Sequence, residues 1–345
     1  MSSNPEAQDS AAAPSRSFWE RLNLEKNGVW LAFIVLLVAA TMLGWPYFHQ
    51  PGNLVNVMRQ ASYTGIIALG MTFVIISGGI DLSVGSNAVF VGSMGVILMN
   101  RLLQKSGWND TYGLMAVIFI AMVVLGTICG LVNGSLIAYG KIVPFITTLG
   151  TMSIYRYLSL YIGDAGEFAA QSNLINRIGM SSLFSFEVGG ARISLPLPVF
   201  ILFVLAAILS FVLNSTRYGR YLCAVGSNAK VAEYSAIKVP RVRFWAYGII
   251  GAMIGISAFL LAGRFGTVST NNFGLGFEMD AIAAVIIGGT AMAGGRGTVW
   301  GTVIGCFMLQ IIQNMLNMAG ISPYLQGVIK GIVIICSVFI QKQKQ

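Results

Sequence analysis

The sequence predicts an all-α membrane protein of about ten transmembrane helices, arranged in two pseudo-symmetric halves with some helices broken or re-entrant. Hydrophobic residues make up 56% of the chain and charged residues only 10%, whereas a soluble domain carries roughly 25% charged residues. The 41 glycines suit closely packed transmembrane helices. Apolar runs of about 20 residues, long enough to cross the hydrocarbon core, recur along the chain. A soluble protein of this length could not bury so much apolar surface.

The apolar runs divide the chain into a polar tail at 1–28, one membrane domain at 29–341 and a basic tail at 342–345. The first tail lacks an apolar centre and a small-residue cleavage site, so it is not a signal peptide. We place the boundary between the halves at about residue 194. The third and eighth spans are the weakest, since they are Gly-rich or short. The candidate spans are Val29–Phe48, Gln60–Gly79, Val84–Leu103, Tyr112–Ala138, Pro144–Ile162, Leu195–Leu213, Phe244–Gly263, Ala281–Met292, Val299–Met318 and Pro323–Ile340.

Charge sets the expected orientation. With ten spans both termini lie on one side, and placing that side in the cytoplasm puts most loop Lys and Arg residues inside, as the positive-inside rule requires. The net charge of +9 is then explained by topology and anionic lipid rather than by nucleic acid. Arg156 and Lys330 fall within spans near their ends, from where we expect them to snorkel to the interface. We therefore predict a multi-pass protein of the bacterial inner membrane.

A glycine pair is repeated in the two halves. Ile75-Ile76-Ser77-Gly78-Gly79, followed by Gly85, is echoed by Ile286-Ile287-Gly288-Gly289, followed by Gly295. Asn133 before Pro144 is likewise echoed by Asn314 before Pro323. Halves packed about a pseudo-twofold axis are a common transporter architecture. We predict hinges or gates at Gly78, Gly79, Asp81, Gly85, Gly288 and Gly289.

Asp81 stands among these glycines, although a carboxylate at the bilayer centre costs roughly 2.5–3.5 kcal/mol. One interpretation is a helix N-cap, in which the carboxylate accepts the backbone N–H groups of Ser83 and Val84. The other is a part in the gate or in a surface that meets a partner subunit. The two are compatible, because a capped, glycine-hinged helix end can tilt as a unit.

The loop between the sixth and seventh spans is the longest one predicted inside. Ser227 or Asn228 is placed to cap a short helix at Ala229–Ala236, which Pro240 would prevent from continuing. A short amphipathic helix under the membrane would fit a partner's groove. The alternative is an interfacial loop whose arginines only anchor the neighbouring spans.

From Asn53 to Phe339 the chain resembles the ribose/galactose/xylose-type permease family of ABC importers. The resemblance is carried by Gly78–Ser86, by Asn133-Gly134 with Val143–Thr151, and by Thr216–Val239, Glu278–Gly305 and Ser322–Gly331. It implies a membrane subunit, usually paired with a second copy, on ATP-hydrolysing subunits and fed by a periplasmic sugar-binding protein. The family's coupling helix corresponds to about Ser227–Ile237. The coupling residues it implies here are Ser227, Asn228, Lys230, Glu233, Tyr234 and Ile237.

This segment departs from the family pattern. Gly226-Ser227-Asn228 stands where Gly-Gly-Asn is common, and Glu233–Ile237 replaces the usual Ala-Ala with Ser-Gly-Ile. The fit to one particular ATPase is therefore expected to be specialised. The chain itself has no phosphate-binding loop, since Gly294–Thr298 lacks the lysine. We expect no enzymatic activity and no cofactor in this chain, with ATP and Mg²⁺ bound by the partner subunit.

Few charges lie within the spans, which suits a neutral, hydroxyl-rich cargo held weakly by polar and aromatic groups. Interhelical hydrogen bonds are the alternative role for each of these groups. The predicted path residues are Asn87, Asn133, Thr147, Thr148, Tyr155, Asn314 and Asn317. On the outer side, loop Gly163–Ser194 is predicted to dock the binding protein, and Arg264–Asp280 to form an outer gate. The predicted docking residues are Arg177, Arg192, Glu278 and Asp280.

Two rival functions remain at this point. A secondary carrier with inverted repeats would need no ATPase, but a proton-driven carrier usually places several ionisable groups mid-membrane. A membrane enzyme lacks support, because no catalytic or metal-binding constellation is present and His49 is the one histidine.

Overall fold

The computed structural model describes residues 24–44, 46–105, 108–188 and 191–342. Helices dominate this part of the chain, and two small antiparallel sheets complete it. The helices are α1 (Leu24–Leu43), α2 (Pro51–Ile76), α3 (Val84–Lys105), α4 (Tyr112–Ala138), α5 (Pro144–Ile162), α6 (Asn173–Met180), α7 (Leu197–Ser215), α8 (Arg217–Ser227), α9 (Ala229–Tyr234), α10 (Val239–Phe265), α11 (Phe277–Ile287), α12 (Val299–Met318) and α13 (Pro323–Lys342). The strands are β1 (Glu167–Ala169), β2 (Ser182–Val188), β3 (Ala191–Pro196) and β4 (Thr267–Ser269).

Within the described part of the chain, six helices are long and apolar enough to cross a membrane: α2, α3, α4, α7, α10 and α12. The protein is therefore an α-helical, multi-pass membrane protein. The predicted eighth span is α11, which has 11 residues and, at 1.5 Å per residue, a length of only about 16 Å. A helix this short cannot cross the bilayer alone.

The predicted domain boundaries can be compared with the structure at three places. Helix α1 already begins at Leu24, within the predicted tail 1–28. The start of an apolar run marks where the membrane begins and not where the helix begins. Residues 1–23 of that tail, and 343–345 of the predicted C-terminal tail, lie outside the described residues. The boundary between the predicted halves at 194/195 falls within β3.

The loop Gly163–Ser194, which was predicted to lie outside, contains more regular structure than the sequence indicated. It contains β1, α6 and the β2–β3 hairpin, and β1 pairs antiparallel with β4 so that Phe168 faces Val268 in the register. This pairing joins the loop between α5 and α7 to the loop that follows α10. Sequence reasoning weighed only the charges of the loop, so it missed the strands.

The centre of the helical core is held together by glycines. Along α4 and α10, Gly126, Gly130, Gly251 and Gly255 bring the two backbones into contact, and a Cβ on Gly130 would overlap the Tyr247 carbonyl oxygen. Small residues allow this close approach in membrane proteins. We call this α4–α10 contact the glycine seam.

Arg156 and Lys330 do not snorkel, contrary to the prediction. Arg156 Nη1 donates hydrogen bonds to the carbonyl oxygens of Thr270 (3.1 Å) and Phe273 (3.2 Å). Lys330 Nζ lies 2.9 Å from an Asp280 carboxylate oxygen. The folded chain supplies acceptors to both cations, so neither has to reach the lipid headgroups. Arg156 instead fixes the chain that enters α11.

Candidate functional site

The buried face of α5 consists of hydroxyl residues. Its buried members are Thr147, Thr148, Thr151, Tyr155 and Ser159, whose spacing of three to four residues places them on one side of the helix. The Tyr155 ring stacks on Phe90 of α3 with centroids 5.6 Å apart. Its hydroxyl donates to the Cys129 carbonyl of α4 at 3.2 Å. We call this face, where α5 meets α3 and α4, the hydroxyl seam.

Several polar atoms of the hydroxyl seam are left without partners. Thr148 and Thr151 donate to carbonyls one turn earlier on their own helix, at 2.9 and 3.1 Å, which leaves their oxygen lone pairs free to accept. Thr147 Oγ1 and both amide atoms of Asn87 are buried and have no hydrogen-bond partner. Buried polar groups in folded proteins are normally paired. The seam therefore offers donors and acceptors to a polar ligand or to water.

Asp81 joins the end of this seam. The residue is fully buried, and its Oδ1 accepts from the backbone N–H of Ser83 at 2.8 Å and from the Ser83 hydroxyl at 2.6 Å. Asn133 Nδ2 donates to the same hydroxyl at 2.9 Å. The predicted bond from the Ser83 amide is present, but the second donor is the Ser83 hydroxyl rather than the Val84 amide. Asp81 Oδ2 and Asn133 Oδ1 have no partner.

The two predicted glycine hinges have the same geometry. After α2, Gly78 adopts φ +80 and its N–H donates to Ile75, while the Gly79 N–H donates to Val74. After α11, Gly289 adopts φ +88, and the next residue, Thr290, donates to Val285. Both helices thus end in a Schellman motif, whose left-handed residue is usually glycine.

This geometry corrects the register of the repeat by one residue. Gly78 corresponds to Gly289, and Ser77 corresponds to Gly288. The sequence comparison aligned glycine with glycine and so paired Gly78 with Gly288. The correct pairing of residues between the two repeats depends on their position in the backbone turn, which the residue types alone do not show. Gly85, the next predicted hinge residue, lies in the first turn of α3 and packs against the carbonyl of Gly274.

The end of α2 and the loop that follows α11 meet at the carbonyl of Ile76. Gly295 N donates to this oxygen at 2.9 Å, and a Cβ on Gly226 would overlap it. Ser227, which ends α8, lies against Gly295. Gly226 and Ser227, where the predicted coupling segment begins, therefore contact the end of α2 and the loop after α11 at one point. We call this point the turn junction.

The predicted coupling helix forms, with a different end. Asn228 is its cap, accepting from Val231 N at 3.1 Å, and α9 stops at Tyr234, two residues before the predicted Ala236. Pro240 is not the cause, because it lies in the first turn of α10, where proline is favoured. Ala236, at φ +60, takes the chain out of the helix.

The side chains around α9 divide into outward and inward groups. Tyr234 is 89% exposed, and Ser227, Asn228, Lys230 and Glu233 are also exposed. Ile237 instead packs against the main core. Five of the six predicted coupling residues are thus available to a partner, and the sixth fastens the segment to the membrane domain.

The remaining predicted residues lie elsewhere. Asn314 and Asn53 exchange reciprocal hydrogen bonds of 2.8 and 3.1 Å, and Asn317 accepts from Gln326 at 2.8 Å. These two asparagines make interhelical bonds away from the hydroxyl seam. Asp280, like Glu278, is half-buried in the first turn of α11, and its charge is engaged by Lys330.

Of the two predicted docking arginines, Arg177 of α6 is exposed, whereas the side chain of Arg192 lies outside the described part. Sequence reasoning missed Ser83, Thr151, Ser159 and Gly226. Thr147, Thr151, Tyr155 and Ser159 recur every four residues, and this spacing was a signal that could have found two of them.

Comparisons with known proteins agree with this picture. Residues 53–338 match the family model described as "Branched-chain amino acid transport system / permease component". The ribose import permease protein of Bacillus subtilis is 35% identical, over 93% of this chain and 94% of that protein. The galactose/methyl galactoside import permease protein of Escherichia coli K12 is also 35% identical, over 93% and 95%. No solved structure matches.

These matches confirm the resemblance seen in the sequence and do not favour a secondary carrier. The chain belongs to this family of transport-system permease components and is the membrane permease subunit of an ABC importer.

Proposed function

We propose that this chain carries a monosaccharide or a similar small polyol inward, by alternating access, along the hydroxyl seam. The observation that carries the proposal is the buried face of α5, where hydroxyl groups face α3 and α4 and several polar atoms lack partners. Such groups suit a cargo rich in hydroxyls. Weak, distributed hydrogen bonds also permit release.

A branched-chain amino acid is the second candidate, because the matching family is named for that cargo. Such a zwitterion would need an ionic partner for its carboxylate. The described residues of the hydroxyl seam are Thr, Ser, Tyr and Asn side chains, with Asp81 at the end, and an anion there would repel a carboxylate. The named substrates of the relatives, ribose and galactose, also favour a sugar.

We further propose that ATP and Mg²⁺ bind a separate subunit, which grips the exposed end of α9. The turn junction supports this route, because Gly226 lies against the Ile76 carbonyl at the end of α2 and Ser227 lies against Gly295 in the loop after α11. A displacement of α9 would reach the end of α2 and this loop together. The Asp81 network follows the first of these turns directly, so the movement would reach the seam.

A second copy of the chain is the proposed partner within the membrane. Glycine in a helix interior costs about 1 kcal/mol relative to alanine and is usually repaid by close packing. Gly150 of α5 and Gly327 and Gly331 of α13 have open space where a Cβ would stand. A neighbouring protomer would supply the missing contact along α5 and α13.

We also propose ten crossings with both termini in the cytoplasm. The eighth crossing would combine α11 with the non-helical segment Thr270–Gly276, which Arg156 holds by its carbonyls and which packs on Gly85 through Gly274. Non-helical backbone is tolerated at membrane depth where protein surrounds it. This arrangement leaves the β1–β4 pair and Arg177 outside, where a sugar-binding protein would dock.

Transport in reconstituted vesicles tests the energy source. We expect sugar uptake to require ATP and the ATPase subunit and to be unaffected by a proton uncoupler. Deleting Ala229–Ile237 should leave the protein inserted while uptake is lost, because the contact with the ATPase is removed. Uptake that persists after this deletion would show that α9 does not couple.

The outer surface can be tested in the same vesicles. We expect the paired variant Arg177→Glu with Arg192→Glu to weaken stimulation by the binding protein, through repulsion of its acidic groups. The loss should shrink as salt is raised, because exposed charges are screened. Unchanged stimulation at low salt would rule out a docking role for these two residues.

A further inference from the structure

A cavity of about 600 Å³ lies beside the coupling helix. It is enclosed by α8, by the segment 235–238 that follows α9, and by the first turns of α10. The lining residues are Tyr218, Tyr221, Ser235, Ala236, Ile237, Lys238, Arg241, Val242 and Trp245. One side of the cavity is therefore polar and cationic, and the other is aromatic and aliphatic.

The polar side carries two positive charges, while Glu233 lies not in this cavity but in the adjoining one, which Lys238 and Arg241 also line. Lys238 and Arg241 are both exposed, and neither takes part in the ion pair found among the described residues, Lys330 with Asp280. No acidic side chain lines the cavity. Lys238 occupies the N-cap position of α10 without a capping side-chain hydrogen bond, and Arg241 lies in the first turn, where the helix dipole adds positive potential. An anionic group would be stabilised here.

The other side is typical of a membrane interface. Trp245 follows Arg241 by one helical turn on α10, deeper into the apolar run, and is 46% exposed. Tyr221 is 44% exposed. Amphipathic aromatic rings concentrate at headgroup level in membrane proteins. The cations and the tryptophan are thus ordered as the phosphate and the glycerol–acyl region of a lipid are ordered.

We propose that this cavity binds the headgroup of an anionic phospholipid from the cytoplasmic leaflet. Its phosphate would lie between Lys238 and Arg241, and its chains would run along Trp245. A zwitterionic lipid would bring its own cationic group next to Lys238 and Arg241, and the like charges would repel. Because the cavity wall includes Ser235–Lys238, the bound lipid would restrain the chain that leaves α9. Anionic lipid would therefore steady the coupling helix.

Fluorescence quenching by brominated lipids tests the site. The signal of Trp245 is taken as the difference between the full-length protein and Trp245→Phe, each in nanodiscs. At equal mole fraction, brominated phosphatidylglycerol should quench this signal more than brominated phosphatidylcholine. Since one surface cation contributes enough for about a five-fold preference, we expect Lys238→Gln with Arg241→Gln to bring the two lipids close to equal quenching.

Matched controls separate the alternatives. Arg217→Gln with Arg220→Gln removes two cations from α8, outside the cavity lining, and should leave the preference intact. Equal quenching in the unaltered protein, or an equal loss in this control, would overturn the proposal. So would abolition of the preference by millimolar glycerol phosphate, which would indicate a general phosphate site. A third outcome concerns Lys238→Gln with Arg241→Gln. If this variant lost binding of the ATPase subunit in lipid-free detergent but kept the lipid preference, the two cations would belong to the ATPase contact instead.

Discussion

The glycine seam and the hydroxyl seam are two contacts of α4 that follow opposite rules. Where α4 meets α10, Gly130 and Gly251 place backbone directly against backbone. Where α4 meets α5, Tyr155 reaches across to the Cys129 carbonyl, and neighbouring polar atoms have no partner. The first contact is complete within one chain. The second leaves groups that something else must satisfy.

The difference indicates which contact is able to move. Close backbone packing in a membrane is lost as soon as two helices separate, because lipid offers no hydrophobic penalty to hold them together. Opening the glycine seam would forfeit that packing. Opening the hydroxyl seam would expose groups that a sugar or water can satisfy, which lowers the cost. We infer that α4 and α10 form the fixed part of the pathway and that α5 lines the part that changes.

The largest effect should come from a side chain in the glycine seam. Gly130→Leu would drive a side chain into the Tyr247 carbonyl and the Gly251 backbone. Overpacking usually costs about 1–3 kcal/mol and occasionally more, and here the obstructing atoms are backbone. We expect a loss of at least about 3 kcal/mol in the free energy of unfolding, measured by thermal unfolding in detergent.

Gly150→Leu is the matched control, because a Cβ at Gly150 meets nothing within the chain. This variant should unfold like the parent protein while disturbing association of two copies. Equal destabilisation by the two substitutions would mean that glycine acts through helix propensity alone. The distinction between the seams would then rest on the polar groups only.

Asp81 tests whether the end of the hydroxyl seam is held by hydrogen bonds or by charge. Asp81→Ala removes the acceptor of two bonds from Ser83 and should cost about 2 kcal/mol, because it leaves a buried amide and a buried hydroxyl without that acceptor. Asp81→Asn keeps one oxygen as acceptor and should cost less than about 1 kcal/mol. Thermal unfolding of both variants measures the difference. An Asn variant as unstable as the Ala variant would show that the charge itself matters.

Short-range features were predictable because their partners are close in sequence. The Asn228 cap and the bond between Asp81 and the Ser83 amide each span two or three residues. Backbone rules determine both, whatever the rest of the fold does. The ends of such elements were less certain, since the end of α9 depends on the positive φ of Ala236.

Long-range features were not predictable in the same way. The four-residue spacing of hydroxyl groups on α5 indicates which side of the helix is polar, but it does not say that α3 and α4 are the helices this side faces. Polar Asn314 looked equivalent to Asn133, but its partner is Asn53, far away in the sequence. The β1–β4 pairing likewise joins two distant loops. Only the packing of the helices decides these contacts.

Thr147→Val should have the smallest effect on stability and a selective effect on transport. The Thr147 hydroxyl has no partner, so replacing it with a methyl group should change the free energy of unfolding by less than about 0.5 kcal/mol. If cargo uses this hydroxyl, uptake should fall several-fold, as loss of one hydrogen bond of about 1 kcal/mol implies. Thr302→Val is the opposite case, since its hydroxyl bonds Thr72 at 2.7 Å outside the seam. Thr302→Val should reduce stability and leave uptake per folded molecule intact. If instead Thr302→Val lowered uptake and Thr147→Val did not, the cargo would not pass along the hydroxyl seam.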